Sequence, residues 1–265
     1  MNTIAIAKNI RIKCLKMVHT GKASHIGSAL SIADILAVLY GEIINININN
    51  YNDENRDRFI LSKGHSGVAI YAALSEVGLI PEKELESYYH NQSLLSGHVS
   101  HKGNKGIELS TGSLGHGIGV ASGFALAAKL DKKNYHSYCV IGDGECDEGS
   151  IWEAALFAAH HKLSNLTVIV DHNKMQSMNS TENTIDLLSL VEKWKSFGWD
   201  VFDIDGHNHK AIYEALKKKT NKPKCIIANT IKGKGVSYME GKIEWHYKFP
   251  DEKQLDQAIK EVMEK

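Results

Sequence analysis

At residues 138–144 the chain reads Tyr138-Cys139-Val140-Ile141-Gly142-Asp143-Gly144, an apolar run that breaks into a glycine-flanked aspartate. A short, uninterrupted apolar run is the signature of a strand buried on both faces. The helical spacing that follows over 148–162 makes the Gly-Asp-Gly a strand-to-helix turn. A second run, Leu166 to Val170, ends in Asp171-His172-Asn173 in the same way. Segments 58–62, 199–204 and 224–229 also read as short buried strands. Between and around them, helical patterns cover 4–20, 31–40, 68–77, 115–130, 187–197 and 210–220, and one more follows Pro250-Asp251. Gly21 is expected to stop the first helix and Ser31 to cap the second. Segments 43–51 and 94–117 read as loops, rich in Asn and in Gly respectively. Strands alternating with helices predict an α/β fold, one parallel sheet flanked by helices on both faces. No composition break or repeat divides the chain, so a single domain over 1–265 is expected.

Lys and Arg total 31 and Asp and Glu total 31, for a formal net charge of zero. That balance argues against nucleic acid as partner. No apolar run approaches the ~18 residues of a membrane span. The first residues lack a signal-peptide layout. The four cysteines, Cys14, Cys139, Cys146 and Cys225, form no CxxC pair. Reduced thiols and a cytoplasmic location are the expectation.

In a parallel sheet, ligands sit at the carboxyl ends of the strands. Here those ends carry His65, Asp143, Asn173 and the 230–233 turn. Asp143 offers a carboxylate and Asn173 a neutral amide oxygen, both suited to a hard cation such as Mg²⁺ that would in turn neutralise phosphates. A plain tight turn or a dinucleotide-binding turn would fit the same residues. However, Gly-Asp-Gly does not complete GxGxxG, and no GxxxxGK[ST] is present. Between Gly144 and Asn173 lie 28 residues, 145 to 172.

That spacing resembles the thiamine diphosphate motif, which runs from GDG to a distant Asn; His172 stands where the motif usually has its first Asn. Further segments, in family order, resemble transketolases. They are Ala23-Ser24-His25-Ile26-Gly27, the 56–65 stretch RDRFILSKGH, Ser96-Gly97-His98, the 111–117 stretch TGSLGHG, the 231–235 stretch IKGKG, and Glu244-Trp245-His246. The chain resembles the N-terminal, diphosphate-binding half of a transketolase whose two halves are separate chains. Two departures, Ile26 for Pro and His116 for Gln, bear on the choice of sugars.

The resemblance implies thiamine diphosphate and Mg²⁺ as cofactors. Mg²⁺ would be held by Asp143, Asn173 and the carbonyl of Met175. The Gly144 amide and His65 would meet the diphosphate, and Gly112 and Leu114 the pyrimidine. His25, His98 and His246 would line the sugar channel. Glu148 and Glu153 would link active sites across a subunit interface. It also implies transfer of a two-carbon glycolaldehyde unit from a ketose phosphate to an aldose phosphate. The pyrimidine-binding domain is expected on a partner chain, in a heterotetramer. The alternatives are a transketolase-like chain for a sulfonated or branched sugar, or the α chain of a 2-oxo-acid dehydrogenase E1. His19, His90, His136 and His209 are read as surface residues. Glu145 and Asp147 are read as ordinary helix N-terminal charges.

Overall fold

The computed structural model describes residues 2–264. In chain order its regular elements are α1 (Thr3–Gly21), α2 (Ile26–Ser31), α3 (Ala33–Val38), β1 (Arg58–Leu61), α4 (Gly67–Glu76), α5 (Gly117–Leu130), β2 (Ser137–Gly142), α6 (Gly149–His160), β3 (Leu166–His172), α7 (Thr181–Thr184), α8 (Leu190–Ser196), β4 (Asp200–Asp205), α9 (His209–Lys217), β5 (Lys224–Asn229) and α10 (Glu252–Glu264). The five strands form one wholly parallel sheet in the order β1-β2-β3-β5-β4.

The apolar runs are strands because both faces of the sheet are covered, and successive side chains alternate between two cores. Phe59, Leu61, Val140, Ile169 and Ile226 point into the larger core, built with α1 to α4, α9 and α10. Ile60, Cys139, Ile141, Val168, Val170 and Ile227 point into the other, closed by α5, α6 and α8. Among the described residues, no helix is long and apolar enough to cross a membrane.

Several expected boundaries differ for local reasons. The first helix is ended by Lys22, which takes the left-handed conformation and donates its amide to His19 and Val18; Gly21 is the last helical residue. The expected second helix begins five residues earlier, at Ile26, and is interrupted at Ile32. Ser31 caps nothing, because its hydroxyl donates to Ser28 O and to Asp171. Asn208 caps α9 by accepting the Ala211 amide. The 43–51 segment forms no strand, and 88–116 contains no regular helix or strand.

Candidate active site

The strand tips gather one cleft of about 220 Å³. It is lined by His25, His65, His98 and His246, by Gly112 and Leu114, by Asp143, Gly144 and Asn173, and by Met175, Gln176, Lys63 and Glu145, among others. Ten of the twelve residues singled out from the sequence therefore converge. The other two, Glu148 and Glu153, are exposed, at the N-terminal end and on the outer face of α6, away from the cleft. An interface role requires that exposure.

β1 delivers Lys63 and His65. Gly64 packs against the Thr111 carbonyl so tightly that an added Cβ would lie 2.2 Å from its oxygen. Its own carbonyl accepts the Val99 amide at 3.0 Å, and Thr111 Oγ1 donates to Leu61 O at 2.6 Å. These bonds tie the irregular 98–112 loop, with His98 and Gly112, to the end of β1. His25 precedes α2 in the left-handed conformation (φ 74°), and its amide donates to His246 O at 2.8 Å. The rings of His65, His98 and His246 lie 5.4, 5.4 and 4.7 Å from that of His25.

Burial, then the neighbouring His98, Lys232 and Lys63, push the His25 imidazole down to about 4. Burial and Lys232 push His246 to about 3, and burial with Lys63 holds His65 well below its ordinary value. These three rings are neutral at pH 7 and act as hydrogen-bonding groups. Lys232 Nζ donates to His246 Nδ1 at 3.2 Å, so His246 offers the N–H on its other nitrogen, Nε2.

Asp143 at the end of β2 is buried, and its two oxygens accept the amides of Gly144 (2.8 Å) and Lys174 (2.6 Å). Gly144, expected at the diphosphate, lines the cleft with its amide hydrogen on Asp143. Burial and the neighbouring Asp171 raise the Asp143 carboxyl to about 7, a carboxylate short of positive charge. Asn173 is oriented by its neighbours. Its Nδ2 donates to Asp171 at 2.9 Å, and its Oδ1 accepts the Met175 amide at 3.1 Å. Among the described residues no three His, Cys, Asp or Glu side chains cluster to hold a metal. Asp143, Asn173 and Met175 all line the cleft and offer it a carboxylate, an amide oxygen and a carbonyl oxygen, the donor chemistry that a hard divalent cation takes.

Three residues matter more than the sequence suggested. Asp171 is fully buried and bonds Lys63 Nζ, Ser31, Thr230 and Asn173, pinning the tips of β1, β3 and β5 together. Glu145 is no solvated helix charge. It is buried, accepts the Ser62 hydroxyl, and takes the amides of Gly115 (2.9 Å) and Gly142 (3.0 Å). Lys232 is buried beside the cleft and donates to Gln176 O at 2.8 Å. Oppositely charged residues at the carboxyl ends of two strand runs, Lys63 just beyond β1 and Asp171 near the end of β3, were the available sequence signal. His136 and His209 are not free surface residues either. His136 bonds Thr167 at 2.8 Å, and His209 bonds Asp34 at 3.0 Å.

A family model described as "Transketolase, thiamine diphosphate binding domain" matches residues 3–261. The chain is 40% identical over 258 residues to an apulose-4-phosphate transketolase subunit of Phocaeicola vulgatus, covering 96% of this chain and 92% of that protein. It is 41% identical over 256 residues to the 6-deoxy-6-sulfo-D-fructose transketolase subunit SqwG of a Clostridium species, covering 95% and 93%. Human transketolase is 35% identical over 257 residues, which are 97% of this chain but 41% of that protein. The crystal structure of Campylobacter jejuni transketolase superposes with a TM-score of 0.91 at 30% identity, covering 99% of this chain and 43% of that one.

Proposed function

The chain belongs to the transketolase family, as its thiamine diphosphate-binding domain, and from that membership we propose that it is one subunit of a two-chain, Mg²⁺-dependent transketolase. The reaction is transfer of a two-carbon ketol unit from a ketose to an aldose. The observation that carries the reading is the meeting, in one cleft, of the Asp143–Asn173 oxygen pair with four histidines. The family match sets the 2-oxo-acid dehydrogenase alternative aside.

In this reading Asp143, Asn173 and the Met175 carbonyl hold Mg²⁺. The cation supplies the positive charge that Asp143 lacks and binds the diphosphate. Gly112 and Leu114 border the pyrimidine. When bound, thiamine diphosphate supplies the carbon nucleophile that carries the two-carbon unit. His25, His98 and His246 face the sugar. Neutral imidazoles both donate and accept, so they can hold hydroxyls and move protons among them. Anionic phosphates would raise the affinity of these rings for protons. Glu148 and Glu153 face the partner chain, which brings the pyrimidine-binding domain in a heterotetramer. The location is cytoplasmic, in keeping with four unpaired thiols.

A second reading of the substrate has its own support. The relatives at 40% and 41% identity are named for apulose-4-phosphate and 6-deoxy-6-sulfo-D-fructose, while the human relative named simply transketolase stands at 35%. A branched or sulfonated donor is therefore the alternative to an ordinary sugar phosphate. Assay of the assembled enzyme against both kinds of donor decides between them.

The test of the cofactor reading is calorimetry of the assembled enzyme with Mg²⁺ and thiamine diphosphate. Asp143→Ala is expected to abolish measurable Mg²⁺-dependent binding and turnover. Affinity equal to wild type would refute the ligand role.

A further inference from the structure

On the side of the sheet tips away from the histidine cluster, the β4–α9 connection carries His207. Its Nε2 accepts the amide hydrogen of Ile231 at 2.9 Å. An acceptor nitrogen carries no proton, so in the neutral ring the hydrogen lies on Nδ1, which donates to Asp34 Oδ2 at 2.7 Å. Asp34 is buried in α3 and is held in turn by Arg11 Nη1 (3.0 Å) and His209 Nε2 (3.0 Å). Carboxylate, imidazole and backbone amide thus form a directional chain with one permitted tautomer. One residue beyond that amide stands Lys232, whose ammonium reaches Gln176 O and His246 at the cleft.

We infer that His207, locked by Asp34, is a positioning residue of the cleft: it grips the 230–233 turn by the Ile231 amide and thereby aims Lys232 at Gln176 and His246. His207 touches neither the cleft nor anything bound there, and it acts through the turn. Gln can imitate both of its hydrogen bonds, donating to Asp34 and accepting from Ile231; Leu can make neither.

Three forms of the full chain, wild type, His207→Gln and His207→Leu, are acetylated with an N-hydroxysuccinimide ester, and modification at individual lysines is followed by mass spectrometry. Lys232 and Lys63 are both buried, so each reacts only through transient opening. Loss of the bond in His207→Leu should speed labelling of Lys232 by about fivefold, the weight of one net hydrogen bond. His207→Gln should match wild type, and Lys63 should stay slow in all three. Lys232 labelling unchanged in His207→Leu overturns the proposal. So does equal acceleration by Gln and Leu, or acceleration of Lys63 together with Lys232, which would mean general loosening. In ¹⁵N-histidine spectra His207 should appear as the Nδ1–H tautomer; the Nε2–H form would overturn it. Only the last link rests on the proposed function: thiamine diphosphate affinity of the assembled enzyme should weaken in step with Lys232 labelling. Faster labelling with unchanged cofactor affinity would leave the positioning role intact and count against the cofactor reading alone.

Discussion

Asp143 and Asp171 stand at the tips of neighbouring strands, yet their surroundings drive them in opposite directions. Burial opposes ionisation of both. At Asp171 the Lys63 ammonium overcomes it and holds the carboxyl below its usual range; at Asp143 no ion pair does, and the carboxyl rises. With Lys63 committed to Asp171, Asp143 has no ion pair among the described residues, and the proposed divalent ion would supply one. The Gly-Asp-Gly turn was legible in sequence because glycine and a strand end announce it. The lack of an ion pair at Asp143 was not, because it depends on which side Lys63 leans. His136 shows the same limit. It immediately precedes β2, and no neighbouring residue marks it as interior. Yet burial and Lys224 push its imidazole down to about 3. An unfolded histidine titrates near 6.5. The stability gained by keeping this ring neutral is therefore complete above pH ~6.5 and is lost progressively as pH falls toward 3. In urea titrations at stepped pH, His136→Gln should show a shallower loss of stability between pH 6 and 4, by up to about 1.4 kcal/mol per pH unit. An unchanged slope would exonerate His136.

Strands and helices were readable because each is governed by local spacing. The 94–117 segment was readable as a loop carrying His98, Gly112 and Leu114 but its shape was not, because that shape is set by partners far away in sequence. Glu145 supplies one such restraint. Its carboxylate joins the Ser62 hydroxyl beyond β1, the Gly142 amide ending β2 and the Gly115 amide before α5. Glu145→Ala would strand two backbone amides and one hydroxyl. At about 1–3 kcal/mol for each unsatisfied buried group, with incomplete additivity, the loss should be about 2–4 kcal/mol. Hydrogen exchange should quicken across 112–117 and remain unchanged in α1. Uniform quickening, or none, would argue against a local clamp. The interrupted α2–α3 pair follows the same logic. Its Ser31 hydroxyl is committed to Asp171, a contact across 140 residues that no reading of 26–40 could supply.

The molecule as a whole presents Val120, Leu156 and Phe157, exposed on α5 and α6 close to Glu153 and His116. Apolar surface beside exposed acids is where the proposed partner chain would sit. Purified alone, the chain should transfer no measurable ketol unit from xylulose 5-phosphate to ribose 5-phosphate; mixed with a chain bearing the pyrimidine-binding domain, it should gain activity in proportion to complex formed. Full turnover by the chain alone would refute the two-chain proposal. The family was legible in sequence because its motifs are short and ordered. The sugar was not, because discrimination among sugars depends on shape around the reacting hydroxyls.

Every sulfur that could be alkylated or oxidised as a thiol, at Cys14, Cys139, Cys146 and Cys225, is sealed inside one of the two apolar layers that sandwich the sheet, and burial makes each a reluctant thiolate. Iodoacetamide can find them only when a layer parts. Cys14 keeps time for one layer and the other three for its opposite, so the native chain contains a pair of clocks for its own breathing.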